Sequence, residues 1–504
     1  MNNEVNMQKI LCFIKRKSLM SNTIVILITG FIIKILGLIY KIIITRLLDT
    51  DGMELYVMIF PTLLLFTTIS GFSLNVTTTK LIADAYETRK YSPKQLLKKS
   101  IKLSFIVSTF TLIIFLLINN FLITNLLKNS KLLLPSLAII PLLYLVGISD
   151  SLRGYFSGIK EVSTSSISIL IEQLSRIISS LTLIIIFSNY PIELRVFLCL
   201  LGQSIGEIGS IIYTLIKIKN LTDFFGTESE EKAILKMALP LTFSRLIGNF
   251  TYFLEPIIYT SFFLWLDYSQ NNITKNYTII NAYTIPLLTM FSFFSIAISN
   301  SIIPYVSTAY INRDNKKLNF YFQKVINYAL IPGTIISIIL FFYSKEIMYL
   351  LYKTQLGSTE VKKTIFIFLI YYIHLPISSF LQAMGQNRFL MLTSVIFNFV
   401  RLLLICALGF IPIFNLNSLL YAVIFSMVLS TIVQLAYLKK LSKIKIDYKS
   451  LLTIATLGFF ISFLIIIFNF LKIPYFIVII LISIIYFIFL NKLNFIKINR
   501  FNNN

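Results

Sequence analysis

Long apolar runs follow one another along almost the whole chain and are separated by short polar stretches. About 20 apolar residues in a helix are enough to cross a bilayer, and a helix satisfies its own backbone hydrogen bonds there. Hydrophobic residues make up 57% of the chain and charged residues only 13%. The sequence therefore predicts an all-α polytopic membrane protein.

Fourteen of these runs are expected to be transmembrane helices, although only Leu471 to Pro474 separates the last two. They lie at 22–46, 55–79, 101–127, 132–156, 164–188, 193–216, 236–264, 278–306, 321–343, 364–384, 389–411, 416–438, 450–471 and 473–491. The first run is too long for the core of a signal peptide, so no cleavable signal is expected.

The basic residues are distributed around these runs with a clear sidedness. The formal net charge is +24, from 45 Lys and Arg against 21 Asp and Glu. With the N-terminus inside, and with basic residues near the ends of runs counted with the adjoining segments, 30 lie in cytoplasmic segments, 10 lie on the opposite side and 5 lie deeper within runs. Cytoplasmic loops of membrane proteins carry such an excess. An A+T-rich genome would also raise the number of lysines, but not their sidedness. We expect a cell-membrane protein with both termini in the cytoplasm and no nucleic-acid partner.

No arrangement typical of catalysis or metal binding is found in the sequence. Cys12, Cys199 and Cys406 lack metal-ligand or redox spacing and are expected to be packing residues. His374, the only histidine, lies near Pro376 and is expected to be a polar packing residue. We therefore expect no enzyme, no cofactor and no metal site.

Basic residues inside apolar runs are the main indication of function. A cation at the bilayer centre costs roughly 2.5 to 3.5 kcal/mol on insertion scales, so it usually faces a bundle interior or a water-filled pathway. Lys34 and Lys41 are seven residues apart and share one helix face, with Gly37 between them for close approach. Snorkelling to the headgroups is an equal alternative for Lys41. The five such residues are Lys34, Lys41, Arg176, Arg245 and Arg401.

The run at 164–188 and the segment before it contain further polar features. Glu172 and Arg176 are four residues apart and can pair on one helix face, which we weigh equally with a substrate role for Arg176. The segment 152–160 has glycines on both sides of an aromatic pair and is expected to form a tight turn.

The run at 236–264 has a polar stripe at helical spacing. Arg245, Asn249, Tyr252 and Pro256 follow one another at intervals of four, three and four residues, which predicts a cavity-lining face with a kink at the proline. Glu255 is expected either to compensate a cation or to respond to protons.

Short motifs recur in the same order in the two halves of the chain. Lys34 with Gly37 is echoed 211 residues later by Arg245 with Gly248. We interpret this as a duplication of six helices, with coincidence as the alternative. Such repeats share one membrane orientation, as in transporters whose halves rock around a midplane site. The repeat would set Lys34 opposite Arg245 and Arg176 opposite Arg401.

The predicted parts are a cytoplasmic N-terminus at 1–20, a six-helix lobe at 21–218, a linker at 219–235, a second six-helix lobe at 236–440, two additional transmembrane helices at 441–492 and a cytoplasmic tail at 493–504.

Several of these stretches resemble the polysaccharide-precursor exporters of the multidrug/oligosaccharidyl-lipid/polysaccharide superfamily, especially the stage V sporulation protein B group. The resemblance implies two six-helix lobes plus two helices that move an undecaprenyl-diphosphate-linked sugar, such as a peptidoglycan or polysaccharide precursor, across the cytoplasmic membrane, with a role in sporulation. Related lipid II flippases have a basic residue at the position of Lys34, but their second arginine falls at Tyr40 rather than Lys41. The resemblance is carried by 34–41 with 45–47, 152–158, 171–173, 239–248 and 381–385.

A lipid-linked sugar diphosphate has an anionic head and an apolar tail, so its carrier needs cations in a hydrated cavity. We expect Lys34 and Arg245 to bind the diphosphate, with Arg176, Arg401 and Lys41 as further candidates. Asn249 and Tyr252 are candidates for sugar contacts, and Glu172 and Glu255 for coupling or charge compensation. The expected partners are the lipid-linked anionic glycan precursor and membrane lipids, with coupling to an ion or to the membrane potential.

Two other functions stay open from the sequence alone. A multidrug exporter of organic cations would be expected to have acidic residues in its first helices, whereas the runs at 22–46 and 55–79 contain none. A membrane scaffold for cell-wall enzymes would have the same hydropathy but would not require internal cations that face one another.

Overall fold

The computed structural model describes residues 25, 28–218, 229–290, 292–442 and 444–492, and it is helical with no strand in these residues. Short π or 3-10 turns occur at Leu122–Leu126, Ser130–Leu132, Ile279–Thr284 and Asn415–Asn417. The α-helices are α1 Ile28–Leu47, α2 Asp49–Gly71, α3 Leu74–Thr88, α4 Pro93–Phe121, α5 Leu133–Ser136, α6 Ile139–Gly158, α7 Val162–Ile186, α8 Ile192–Lys217, α9 Glu230–Trp265, α10 Gln270–Thr278, α11 Ile285–Thr289, α12 Ser292–Ile311, α13 Asn315–Tyr352, α14 Ser358–Phe368, α15 Ile370–Ala383, α16 Asn387–Gly409, α17 Ser418–Ser442, α18 Tyr448–Phe470 and α19 Tyr475–Lys492.

The described helices include 11 that are long and apolar enough to span a membrane, or up to 13 if each of two bent pairs forms one span. The predicted all-α polytopic fold is confirmed, whereas the predicted count of fourteen is not. Helix α9 is outside this set although it has 36 residues. Its polar stripe makes it less hydrophobic than a lipid-facing span, and fourteen crossings would be reached only if α9 and both bent pairs were all counted.

The first compact unit comprises residues 1–278, and small residues bring its helices close together. A Cβ atom on Gly202 of α8 would lie 1.9 Å from Ser180 Oγ on α7, and one on Gly206 would lie 2.8 Å from the Glu172 carbonyl oxygen. Small residues allow such close approach of helices in membranes, where the hydrophobic effect does not drive helix association. This packing aligns α7 and α8 with their polar residues facing α6.

The expected tight turn at 152–160 is wrong, because α6 continues through Gly158 and the chain turns only at Ile159 and Lys160. A Cβ on Gly154 would lie 2.7 Å from the Asn75 carbonyl oxygen, and one on Gly158 would lie 2.7 Å from Ile82 Cβ. The glycines therefore serve helix packing against α3 rather than chain reversal. Because α6 continues through this segment, Arg153, which directly precedes Gly154, lies inside the helix.

The connection between α2 and α3 is a break within one long apolar segment. Phe72 and Ser73 have φ angles of 46° and 49°, in the left-handed region that non-glycine residues rarely adopt. Strained backbone of this kind clusters at functional sites, and irregular backbone in a membrane is tolerated where it lines a cavity. The break places Ser73 beside α6.

The second compact unit comprises residues 279–504. Buried side chains of α12, α13, α15 and α17 form one apolar core, and α18 and α19 form another against α13. His374 Nδ1 on α15 lies 2.9 Å from Thr431 Oγ1 on α17, and Ser378 Oγ donates to Gln434 Oε1 at 2.7 Å. His374 thus packs as a polar residue between two helices, as predicted.

The contact units and the predicted lobes divide the chain at different places, because α9 and α10 belong to the first unit. The predicted boundaries concern how the sequence was duplicated and stay predictions. Cys199 is buried and Cys406 is half-buried, and both are free thiols. The predicted N-terminal segment at 1–20 with Cys12, most of the linker and the tail at 493–504 lie outside the described residues.

Candidate functional site

The first unit contains a cavity of about 470 Å³ between α2, α6, α7, α8 and α9. This volume is within the range of pockets that bind small molecules, roughly 300 to 1,000 Å³. The break after α2 contributes Gly71 and Ser73 to its wall. Its lining residues are Phe60, Leu63, Leu64, Thr67, Thr68, Gly71, Ser73, Leu142, Val146, Asp150, Glu172, Arg176, Gln203, Glu207, Arg245 and Asn249. The cavity is therefore apolar along α2 and highly charged where α6 to α9 meet.

A buried charge cluster surrounds Arg153 at one side of this cavity. Its Nη2 atom lies 2.9 Å from Glu172 Oε2 and 2.9 Å from Glu207 Oε2, and its Nη1 atom lies 4.0 Å from Asp150 Oδ1. Arg153 is 6% exposed and Glu207 is 7% exposed. Buried charges are stable only when they are paired and hydrogen-bonded, and Ser210 Oγ accepts a further bond from Arg153 Nη2 at 2.9 Å. One guanidinium thus holds three carboxylates from three helices.

Arg176 and Arg245 add two further positive charges to the cavity wall. Arg176 is half-buried on α7 and donates a hydrogen bond to Gln173 Oε1, while Arg245 is exposed on α9. The expected pair between Glu172 and Arg176 is not formed, because Glu172 faces Arg153 instead. The cavity wall thus carries guanidinium groups from two different helices, α7 and α9.

Two uncharged polar groups of the wall complete the site. Asn249 lies one turn after Arg245 on α9, and its Nδ2 donates to Thr68 Oγ1 on α2 at 2.6 Å. Ser73 is 2% exposed, and its hydroxyl has no hydrogen-bond partner in the described part of the chain. A buried hydroxyl without a partner costs free energy unless water or a ligand binds it. Ser73 therefore adds a buried polar group without a partner in the described residues to the segment that forms this part of the wall.

The two lysines of α1 lie elsewhere. Lys34 is exposed and is not among the lining residues of the cavity, and Lys41 is half-buried with its Nζ 5.4 Å from the centre of the Tyr56 ring. A Cβ on Gly37 would lie 3.7 Å from Gln173 Nε2, an ordinary contact distance, so this face of α1 is turned towards α7 while the close approach expected at Gly37 stays a prediction. The placement of Lys34 opposite Arg245 across a cavity stays a prediction.

The remaining predicted residues do not line the cavity. Tyr252 is half-buried and Glu255 is 2% exposed on α9, beyond the cavity-lining part of that helix. Arg401 is half-buried on α16 in the second unit. Their roles in sugar contact, coupling and diphosphate binding stay predictions, as does the position of Arg401 relative to Arg176.

Sequence reasoning missed Asp150, Arg153 and Glu207. The signal was present, because Asp150 and Arg153 lie within the run 132–156 and Glu207 within 193–216. The spacing of glycines around Arg153 indicates a turn rather than a helix in which it would pair with Asp150, and Glu207 has no basic residue at helical spacing that marks it in the way that Arg176 marks Glu172. Among the described residues, no three His, Cys, Asp or Glu side chains are arranged to hold a metal ion. The three carboxylates of the cluster surround the guanidinium of Arg153.

Comparison with known proteins places this architecture in a family. A family model for polysaccharide biosynthesis proteins matches residues 19–310, more than half of the chain, and a MatE family model matches 280–407. Stage V sporulation protein B of Bacillus subtilis (strain 168) is 27% identical over 445 residues, which are 86% of each chain. The predicted resemblance is thereby confirmed.

Two solved structures have the same fold. The lipid II flippase MurJ in an inward closed conformation has a TM-score of 0.66 and 16% identity, with 94% of this chain and 100% of that chain covered. An inward-facing multidrug resistance MATE family transporter of the MOP superfamily has a TM-score of 0.63 and 13% identity, with 82% and 95% covered. The chain is a multi-pass membrane protein that belongs to the polysaccharide biosynthesis protein family.

Proposed function

We propose that this protein is a flippase that moves a lipid-linked glycan precursor across the cell membrane, with Arg245 and Arg176 as the cations that bind its diphosphate. The observation that carries the proposal is that arginines from two different helices line one cavity of about 470 Å³ in the membrane-spanning part of the chain. A lipid-linked precursor enters such a site from the membrane and needs positive charge only for its head. The family assignment and the relative from Bacillus subtilis support the same function.

The two arginines differ in what they offer to a diphosphate. The guanidinium is planar and forms two parallel hydrogen bonds to phosphate oxygens, so it recognises the group by geometry as well as charge. Arg245 is exposed and makes the first contact, whereas Arg176 is already oriented by Gln173. The amide of Asn249, which lines the same cavity one turn after Arg245, is a candidate for contact with a phosphate oxygen or the adjoining sugar. Lys34, exposed on the neighbouring α1, is a further candidate for the diphosphate.

The Arg153 cluster keeps the carboxylates of the cavity from repelling an anionic substrate. Asp150, Glu172 and Glu207 carry three negative charges, which would oppose a diphosphate at this distance if they were uncompensated. Arg153 contacts all three, so the compensation role proposed for Glu172 falls to the pair that it forms with Arg153. Any ion or membrane-potential coupling would act on the same carboxylates, because a bound cation or proton would change their contact with Arg153.

The test is a flipping assay with a fluorescent undecaprenyl-diphosphate-linked sugar in vesicles reconstituted with the purified protein. Arg245→Gln is expected to lower the rate about tenfold or more, because a charge-assisted contact is worth about 1.5 to 3 kcal/mol and about 1.4 kcal/mol corresponds to tenfold affinity. Lys34→Gln is expected to lower it as well, and Arg245→Lys should retain more activity because it keeps the charge without the planar fork.

Lys439→Gln and Lys440→Gln at the exposed end of α17 are the matched controls, since solvent-exposed charges are screened within about 10 Å. These variants should flip at the parental rate. If folded Arg245→Gln and Arg176→Gln are both as active as the parent, a cationic diphosphate site in this cavity is wrong.

One observation favours the alternative of a cation exporter. The cavity is lined by Asp150, Glu172 and Glu207, which supply the acidic residues that the first two apolar runs lack. If this alternative holds, Glu207→Gln abolishes export of an organic cation dye from the same vesicles while Arg245→Gln leaves it unchanged. The proposed flippase gives the reverse order of sensitivities with the lipid-linked substrate.

A further inference from the structure

The second unit contains a smaller pocket of about 280 Å³ between the consecutive helices α12 and α13, separate from the cavity described above. It is lined by Ile298, Ser301, Ile302, Tyr305, Tyr321, Lys324, Val325 and Tyr328. Of these eight residues one is a cation and none is an acid, while three carry phenolic hydroxyls and three are aliphatic. The pocket therefore combines a positive charge and hydrogen-bond donors with an apolar wall.

Aromatic rings hold the ammonium group of Lys324 in place. Its Nζ lies 5.1 Å from the centre of the Phe320 ring and 5.9 Å from that of Tyr328. Tyr305 and Tyr321 contact each other across the two helices, with their ring centres 5.9 Å apart and their planes tilted by 51°. Cation-aromatic contacts of this length are attractive, so the lysine is pre-ordered rather than extended freely into solvent. A pre-ordered cation loses less entropy when it binds an anion.

The pocket lies near the polar ends of its two helices. Lys324 is nine residues after the start of α13, about 13 Å along the axis, and Tyr305 is six residues before the end of α12, about 9 Å. The turn between the helices contains Arg313 and Asp314, and Lys316 and Lys317 follow in the first turn of α13, a concentration of charge that favours water over lipid. Headgroup regions of a bilayer are several ångströms thick on each side, and tyrosine and lysine are common at that level.

We propose that this pocket binds the phosphate of an anionic phospholipid from the surrounding membrane. Lys324 would contact the phosphate as a point charge, the hydroxyls of Tyr305, Tyr321 and Tyr328 would donate to its oxygens, and Ile298, Ile302 and Val325 would contact the first carbons of the acyl chains. The exposed fractions of Tyr305 and Phe320 are 52% and 54%, so the rim is open to the side from which a lipid arrives. A volume below that of most small-molecule pockets suits a headgroup rather than a glycan.

The proposal does not depend on the flippase function, because lipid binding is measured without transport. The purified full-length protein in detergent is titrated with phosphatidylglycerol and examined by native mass spectrometry, with phosphatidylcholine and inorganic phosphate in parallel. Phosphatidylglycerol is expected to bind the parent and to bind Lys324→Gln about tenfold more weakly. Lys316→Gln is the matched control, since Lys316 is exposed on the same helix outside the pocket, and it should bind as the parent does.

Each outcome separates the possible ligands. Competition by millimolar inorganic phosphate would show that a free phosphate rather than a lipid occupies the site, and equal binding of phosphatidylcholine and phosphatidylglycerol would show that only acyl chains bind. Either result overturns the proposal, as does unchanged binding by Lys324→Gln. Because a folding defect would mimic loss of binding, Lys324→Arg is included: it keeps the charge and should restore binding if the pocket acts as proposed.

Discussion

Arg153 is the residue on which the charged wall of the main cavity depends, because one guanidinium contacts carboxylates from α6, α7 and α8. Removing one partner from a buried ion pair costs about 3 to 5 kcal/mol, since the other charge stays buried without compensation. Arg153→Met is therefore expected to lower the thermal unfolding midpoint in detergent markedly. Lys94→Met, at an exposed position near the start of α4, should leave it unchanged.

If uncompensated carboxylates cause the loss of stability in Arg153→Met, a second substitution that removes one of their charges should reduce that loss. Arg153→Met combined with Glu207→Gln should be more stable than the sum of the two single effects predicts, because the neutral amide no longer needs a cation. Strict additivity in the double-mutant cycle would contradict the view that Arg153 acts by compensating Glu207.

Spacing along the sequence was sufficient to predict which residues of one helix, α9, line the cavity together. Arg245 and Asn249 are four residues apart on α9 and line the same cavity, as the helical period predicts. The pairs of Arg153 could not be derived in this way, because Glu207 is 54 positions away and lies on another helix. The same limit explains Glu172, which is able to pair with Arg176 by spacing but faces Arg153 because α6 and α7 pack together.

At the scale of the helices, the contact between α3 and α6 sets the position of Arg153. A Cβ on Gly158 would lie 2.7 Å from Ile82 Cβ and 2.9 Å from the Thr79 carbonyl oxygen, so a methyl group would push the two helices apart. Overpacking costs about 1 to 3 kcal/mol. Gly158→Ala is expected to lower thermal stability and to slow transport, because it moves α6 and its charge cluster relative to the cavity.

Gly30→Ala on α1 is the matched control, since its Cβ would have no atom within 4 Å and alanine is about 1 kcal/mol better than glycine in a helix. Its melting temperature should equal or exceed that of the parent. A Gly158→Ala protein with the stability and transport rate of the parent would be inconsistent with close packing of α3 and α6.

Helices as such were predictable here, because lipid-facing segments are long and apolar, but their interruptions were not. The break after α2 depends on Phe72 and Ser73 adopting left-handed backbone, and neither residue type indicates such a conformation. The end of α6 was predicted too early because Gly154 and Gly158 are residue types typical of turns. In the structure they lie within the helix, and α3 packs directly on them.

For the whole molecule, the distribution of basic residues bears on how the chain lies in the membrane. Thirty basic residues on one side against ten on the other predict that both termini are cytoplasmic. Truncated reporter fusions after Lys90, between α3 and α4, and after Lys440, at the end of α17, are expected to give a cytoplasmic signal. A fusion after Tyr268, between α9 and α10, is expected to give an exterior signal. An odd number of crossings would follow from an exterior signal at Lys440. Two copies of a repeat share one membrane orientation only when each copy has an even number of crossings. An exterior signal would therefore remove the basis for setting Lys34 opposite Arg245. The proposed binding of a diphosphate by Arg176 and Arg245, both in the first unit, does not depend on the repeat and would be unaffected.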